Sequence, residues 1–182
     1  ETERAKPFQV DLQHPDLNAM MNHFVKKQLY SYLINKSHYR DNLQVIMALS
    51  MSDYDTCEKV LMKALSAQHP EGWAPHHFNP LENIRVSDAP VWILMVVPWM
   101  IKESGDFDLL KVPLPFQIGD EEVSLWEHVL RAMRFLVKDT GKNGLCDLRE
   151  GDWNDGLSPI GESCARESVM VTQQLCYGLL EV

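Results

Sequence analysis

The sequence predicts an all-α protein, and two observations carry the prediction. Apolar residues recur at three-and-four spacing through most of the chain, and no long alternating pattern competes with them. Residues 112–118 are the one stretch with the character of a short strand. The predicted helices cover residues 16–33, 40–51, 53–68, 88–104 and 124–140, and a last one runs from about 166 to the end.

Local signals bound these helices. Pro15 precedes the first helix, and the second is recognised by its apolar content. Ser52 or Asp53 can cap the third helix, and Gly72 lies beyond its end. A cap at the helix start satisfies backbone N–H groups that have no partner within the helix.

The later helices carry similar signals. The fourth opens at residues 87–88 and ends at Gly105, with Pro98 expected to kink it. Ser124 and Glu127 form a capping-box pattern at the start of the fifth helix, and Gly141 follows its end. The sixth helix is expected to begin near Arg166.

Three irregular segments lead into the second, fourth and sixth helices, namely residues 34–39, 69–87 and 141–165. The second and fourth helices are also more apolar around their circumference than the first, third and fifth. An array of helical hairpins in inner and outer layers produces this alternation and places the three loops at one end. We expect residues 1–182 to form one domain, with the binding groups on these loops.

Composition excludes several classes of protein. The chain is 45% hydrophobic with a net charge of −9 and a pI near 5.2, which disfavours nucleic acid and anionic membranes as partners. The longest apolar run, residues 89–101, is shorter than the ~20 residues that span a bilayer. Four scattered cysteines without a CxxC pair predict reduced thiols and a cytoplasmic location.

The strongest candidate motif is residues 150–156, EGDWNDG. Glycines permit a tight loop, the Trp153 ring can stack on a sugar face, and Asp152 and Asn154 can bind hydroxyls. One of the carboxyl groups of this segment, held near the tryptophan, is expected to have a raised pKa and to donate a proton near neutral pH. The alternative is an ordinary turn, because Asp, Asn and Gly are common turn residues.

Two further polar segments precede apolar helices. In residues 83–88 (NIRVSD), Arg85 suits vicinal hydroxyls or an anion, and the alternative is a helix cap beside a surface arginine. In residues 39–44 (YRDNLQ), Arg40 and Asp41 are equally suited to ligand contact and to a buried structural ion pair.

The loop of residues 69–87 contains His69, His76, His77 and Trp73. We expect no metal there, because adjacent histidines point apart on a regular backbone and no carboxylate spacing supports them. Trp73 is the better candidate in this loop, as part of the lining of a sugar site. No phosphate-cradling or nucleotide-binding glycine motif occurs in the chain.

Taken together, these segments resemble the inverting sugar phosphorylases of glycoside hydrolase family 94, which include the cellobiose, cellodextrin and chitobiose phosphorylases. Five segments follow the family's motifs in the same order. They are residues 39–44 for FRDQLQ, 69–72 for FPEG, 85–92 with 102–110 for RxSDDxLW and KETGDxxxL, 151–156 for GDWNDG, and 166–169 for GESV.

The resemblance implies an (α/α)6 barrel and the attack of inorganic phosphate on a β-glucoside, with inversion to an α-sugar 1-phosphate. It makes Asp155 the general acid, and it implies phosphate as co-substrate with no other cofactor. Family members are commonly homodimers, so a homodimer is a further expectation. Substrate binding is assigned to residues of the matching segments and to Trp73: Arg85, Asp88, Asp152, Trp153, Asn154, Arg40, Asp41, Gln44, Trp73 and Glu167.

The sequence also departs from the family pattern. Ala89 replaces one of the two adjacent family aspartates, and Arg166 replaces the glycine of GESV. No counterpart of the family's phosphate-binding His and Thr-Gly residues is present, so we expect the barrel to need a further half. The alternatives are an inverting hydrolase on the same fold, and a truncated or degenerate barrel that binds sugar without turnover.

Overall fold

The computed structural model describes residues 9–154 and 167–182, in which helices predominate as predicted. A turn of π-helix, Met20–Phe24, separates the first two α-helices, and a 3₁₀ turn, Phe107–Lys111, follows α5. The α-helices are α1 (Pro15–Ala19), α2 (Val25–Asn35), α3 (Tyr39–Leu49), α4 (Tyr54–Leu65), α5 (Ala89–Ser104), α6 (Leu125–Lys138) and α7 (Val169–Glu181).

Several predicted helix ends are confirmed. The Asp53 side chain caps α4 by accepting a hydrogen bond from the Thr56 N–H at 3.2 Å. Gly105 ends α5 in the left-handed conformation, with φ 70°. Ser124 caps α6 through the Glu127 N–H at 3.3 Å, but the Glu127 carboxylate accepts hydrogen bonds from two arginines of α6, so the capping box is half formed.

Other boundaries differ from the prediction. The sixth predicted helix begins at Val169, where the Ser168 hydroxyl caps it, and not near Arg166. The loop of residues 69–87 contains a two-residue hairpin in which β1 (His77–Phe78) pairs with β2 (Leu81–Glu82). The predicted strand is confirmed as β3 (Pro113–Pro115), antiparallel to β4 (Glu122–Ser124). The β1–β2 hairpin and the partner strand β4 were not predicted, because pairing between separate segments is not detected by apolar periodicity.

Helix α5 forms the centre of the core. It packs against α3, α6 and α7, while α3 also contacts α2 and α4. Ile93 and Leu94 of α5 are completely buried, as are Leu43 and Ile46 of α3. Each such side chain contributes about 1.5–3 kcal/mol to stability by leaving water. Helices α3, α5 and α7 therefore form an inner row, with α4 and α6 outside it.

Within residues 9–154 and 167–182, no helix has the length and apolar character needed to cross a membrane. The cysteines in these ranges, Cys57, Cys146 and Cys176, are free thiols.

Gly72 is predicted to be irreplaceable in the turn after α4. Its φ is +104°, and a Cβ there would lie 2.1 Å from the Arg131 carbonyl oxygen of α6. We expect Gly72→Ala to lower the thermal unfolding midpoint much more than Gly119→Ala, measured by differential scanning calorimetry on the complete protein. Gly119 has φ +89° with open space around it, so the control carries only the left-handed strain of about 1–2 kcal/mol. Equal shifts for the two variants would contradict the predicted clash.

Candidate active site

The predicted meeting of the three loops at one end is confirmed. The Ser87 N–H and hydroxyl donate hydrogen bonds to the Gly151 carbonyl at 2.8 and 3.1 Å. Val86 forms an antiparallel bridge with Arg149, and His38 forms one with His77. The N-terminal ends of α3, α5 and α7 therefore share one region, where their dipoles favour negative charge.

Arg40 is the centre of a buried polar cluster in this region. It lies in the first turn of α3 and is 8% exposed. Its Nη1 donates to the Asp152 carbonyl oxygen at 2.8 Å and lies 3.5 Å from Asp88 Oδ2. Asp88 and Asp152 thus meet at the Arg40 guanidinium, although they lie 48 and 112 positions from Arg40 in sequence. We call Arg40, Asp88, Asp152 and Ser168 the polar cluster.

Asp88 provides a buried carboxylate with unused hydrogen-bonding capacity. It is completely buried at the N-cap of α5 but makes no capping hydrogen bond, so it is not the simple cap that the sequence allowed. Its Oδ2 accepts from the indole N–H of Trp92 at 3.3 Å. Oδ1 has no hydrogen-bond partner among the described residues. An unsatisfied buried acceptor costs about 1–3 kcal/mol, which a ligand hydroxyl could recover.

Burial raises the pKa of Asp88 above its ordinary value, because desolvation disfavours the charged carboxylate. Arg40 and the Trp92 N–H act in the opposite direction by stabilising the ionised form.

Asp152 is held by two hydrogen bonds. Its Oδ2 accepts from the Ser168 hydroxyl at 2.7 Å, and its Oδ1 accepts from the Asn154 N–H at 2.9 Å. The Ser168 oxygen in turn accepts from the Val171 N–H at the start of α7. Asp152 is thereby attached to the N-terminal end of α7.

The two described residues that follow Asp152 are both exposed. The Trp153 side chain is 56% exposed, so its ring is available for stacking, and Asn154 is exposed beside it. Asp155, the predicted general acid, lies outside the described residues.

Arg85 and Trp73 contact each other. The Arg85 guanidinium carbon lies 4.6 Å from the centre of the Trp73 ring, and the His69 ring stacks on Trp73 at 4.5 Å. Trp73 is only 4% exposed and offers little surface to a sugar. The Arg85 N–H donates to the Glu150 carboxylate at 2.7 Å, which joins residues 83–88 to the 150–156 motif.

Three other predicted binding residues lie outside the polar cluster. Asp41 accepts hydrogen bonds from the Tyr32 hydroxyl at 2.6 Å and from Arg40 Nε at 3.2 Å. Gln44 lines a separate shallow cavity with Tyr32 and Asp41. The Glu167 carboxylate accepts from the Asn143 N–H at 2.7 Å, and so holds the loop after α6.

Ser168 and Trp92 belong to the site but were not among the predicted site residues. Both could have been found from their positions, because Ser168 precedes an apolar helix and Trp92 lies four residues after Asp88.

The prediction that the adjacent histidines of the 69–87 loop point apart is wrong. The His76 and His77 ring centres are 4.6 Å apart, and the His38 ring lies 3.8 Å from that of His77. The reason is that His76 lies at a bend directly before β1, and the pairing of β1 with residue 38 brings His38 beside them. They are the group among the described residues that could hold a metal.

Comparisons with known proteins identify the family of the chain. The catalytic-domain model of the glycosyl hydrolase 94 superfamily matches residues 82–181, which contain the α5 entrance and the 150–156 motif. The chain belongs to this superfamily, and the resemblance described from its sequence motifs is confirmed.

Characterised relatives include two phosphorylases of Paenibacillus borealis. A 3-O-beta-D-glucopyranosyl-beta-D-glucuronide phosphorylase is 26% identical over 94% of this chain and 24% of its own length. A solabiose phosphorylase is 31% identical over 91% of this chain and 22% of its own length. The cyclic beta-(1,2)-glucan synthase NdvB of Rhizobium meliloti (strain 1021) is 28% identical over 88% of this chain and 7% of its own length. The chain thus spans about a quarter of the phosphorylases it matches.

Proposed function

We propose that the complete protein is an inverting phosphorylase of β-linked di- or oligosaccharides, cellobiose-like in type. The polar cluster carries the proposal, because it brings a buried arginine and the Asp88 carboxylate to Asp152 of the GDWNDG motif, at the ends of three helices. The phosphorylases among the relatives support the same reaction type.

In the proposed reaction, inorganic phosphate attacks the anomeric carbon from the face opposite the glycosidic oxygen. A phosphate C–O bond forms as the glycosidic C–O bond breaks, and Asp155 donates its proton to the departing oxygen. Inverting hydrolases need a second carboxylate to activate water, whereas phosphate is already an anionic nucleophile. The products are an α-sugar 1-phosphate and a sugar with a free hydroxyl.

The buried carboxylate of Asp88 is proposed to accept hydrogen bonds from sugar hydroxyls. Its unpartnered Oδ1 supports this role, and Arg40, 3.5 Å from Oδ2, favours the ionised carboxylate. Trp153 is proposed to stack on the sugar, in line with its exposed ring, and Asp152 and Asn154 to bind beside it. For Arg85, the proposed sugar contact uses the guanidinium beside Trp73.

We further propose that the inner row of α3, α5 and α7 is part of an (α/α)6 barrel. The packing order of these helices, with α4 and α6 outside, supports that arrangement.

The chain carries a net charge of −9, so the cationic groups that bind phosphate are proposed to lie mostly in other parts of the protein. A cytoplasmic homodimer remains part of the proposal, and the buried free thiols of Cys57 and Cys146 fit a reducing compartment.

There are three alternatives to phosphorolysis, and specific observations support two of them. The glucan synthase among the relatives shows that similar chains occur in proteins named for another activity. Ala89 stands where the family has a second aspartate, and it is buried at the start of α5 beside Asp88. The missing carboxylate at this position fits a non-catalytic sugar-binding barrel. An inverting hydrolase on the same fold is the third possibility.

The deciding experiment incubates the complete protein with a panel of β-linked disaccharides, with and without inorganic phosphate. We expect phosphate-dependent release of an α-sugar 1-phosphate, identified by its phosphorus and anomeric proton NMR signals. Reducing sugar released equally without phosphate would favour the hydrolase, and binding without any turnover would favour the non-catalytic barrel. Either result would overturn the proposed phosphorolysis.

A further inference from the structure

We propose that His38, His76, His77 and Glu82 form a binding site for a divalent transition metal of the zinc class. Three imidazoles with one carboxylate are a donor set that suits Zn²⁺. This site is separate from the polar cluster and does not depend on the proposed function.

Backbone pairing between two loops brings the four side chains together. His38 directly precedes α3 and forms an antiparallel bridge with His77 of β1. Within the hairpin, the register pairs His77 with Glu82. The Tyr39 N–H donates to the His76 carbonyl at 2.9 Å, and the Phe78 N–H donates to the Ser37 carbonyl at 3.0 Å. The positions of the donors are therefore held by the main chain.

The spacing of the donor atoms is close to that of a metal site. One possible ligand atom from each histidine lies within 4.8 Å of the others. Glu82 Oε2 is 3.2 Å from His76 Nδ1 and 3.6 Å from His77 Nε2. Zinc with bonds of about 2.0–2.1 Å separates tetrahedral ligands by roughly 3.3 Å. The mutually close group contains the three histidines and not Glu82, so the Glu82 carboxylate would have to rotate toward His38 to complete four ligands.

An orphaned nitrogen is a second indication of a ligand. His38 Nδ1 is buried and has no hydrogen-bond partner among the described residues. Buried polar atoms normally have partners, and a bound cation would supply one. The side chains of His76 and His77 are about a quarter exposed to solvent, so an ion can reach them.

The metal would act as a clamp between the β1–β2 hairpin and the start of α3. His38 lies two residues before Arg40, so fixing His38 would restrict the backbone that carries the arginine of the polar cluster. We assign the ion no part in bond cleavage.

The test uses the complete protein without a histidine tag, stripped of metal by a chelator. Isothermal titration with Zn²⁺ is expected to show one site of submicromolar affinity, and Co²⁺ is expected to give the visible absorption of a tetrahedral site. His77→Ala and His38→Ala should each weaken Zn²⁺ binding by at least about 10–100-fold. His23→Ala is the matched control, because His23 is exposed and lies outside the cluster.

Absence of Zn²⁺ binding would overturn the proposal, and so would unchanged affinity in the histidine variants. If either alanine variant fails to fold by circular dichroism, Glu82→Gln provides the test, because Glu82 is exposed on β2. That variant should weaken Zn²⁺ binding and alter the Co²⁺ spectrum, and an unchanged spectrum would exclude Glu82 as a ligand.

Discussion

Asp155→Asn is expected to lower the rate of phosphorolysis by the complete protein by about 10²–10⁴-fold. Asparagine has no acidic proton to give to the departing glycosidic oxygen, while its size and polarity are nearly those of aspartate. The measurement is the rate of sugar 1-phosphate release from the best disaccharide of the panel. Asp152, three residues earlier, accepts hydrogen bonds from the Ser168 hydroxyl and the Asn154 N–H.

A glycoside with a nitrophenyl leaving group distinguishes acid catalysis from a structural role. Such a leaving group departs without a proton, so Asp155→Asn should lose much less activity on it than on the disaccharide. Asp120→Asn is the matched control, since Asp120 is exposed in the turn before β4, and it should keep full activity. Disaccharide phosphorolysis that persists in Asp155→Asn would remove Asp155 from the catalytic role.

Arg40→Met is expected to destabilise the protein by about 3–5 kcal/mol, because it leaves the buried Asp88 carboxylate without its cationic partner. Methionine keeps most of the side-chain length but none of the charge. The measurement is urea unfolding of the complete protein, followed by the change in tryptophan fluorescence. Arg134→Met is the control, because Arg134 is more than half exposed and its ion pair with Glu127 is worth at most about 1 kcal/mol.

Two comparisons identify the cause of the lost stability. Adding Asp88→Asn to Arg40→Met should recover part of it, since the uncompensated charge is then gone. The loss should also shrink as the pH falls. Burial already raises the pKa of Asp88, and removing Arg40 should raise it further. As the pH falls, Asp88 in the folded variant therefore takes up a proton, and the cost of its unpaired buried charge is removed. A loss that is independent of pH and of Asp88→Asn would contradict this explanation.

The polar segments identified in the sequence differ in how far they predicted the site. The motifs predict Arg40, Asp88 and Asp152 as binding residues, and the structure brings the three together. Asp41 was named on the same grounds but contacts Tyr32 and the outer side of Arg40. In the first turn of a helix, adjacent side chains point in different directions, so position in a motif does not determine which residue faces the site.

Trp73 illustrates the same limit. A tryptophan in a loop is a reasonable sugar platform, but its ring is covered by contacts with His69 and Arg85. Burial depends on what packs over a side chain, and those neighbours come from other parts of the chain. The histidine group shows the reverse case, because the hairpin brings together rings that a regular backbone would separate.

By itself, the sequence determined the helical class, the family and most helix ends, because periodicity, caps and motif order are local properties of the chain. Only the tertiary structure decided which polar groups meet. Packing of α5 between α3 and α7 brings Arg40, Asp88 and Asp152 to one place, although more than a hundred residues separate the first from the last. Contacts of that range follow from how the apolar faces pack, and the order of residues in each segment does not record them.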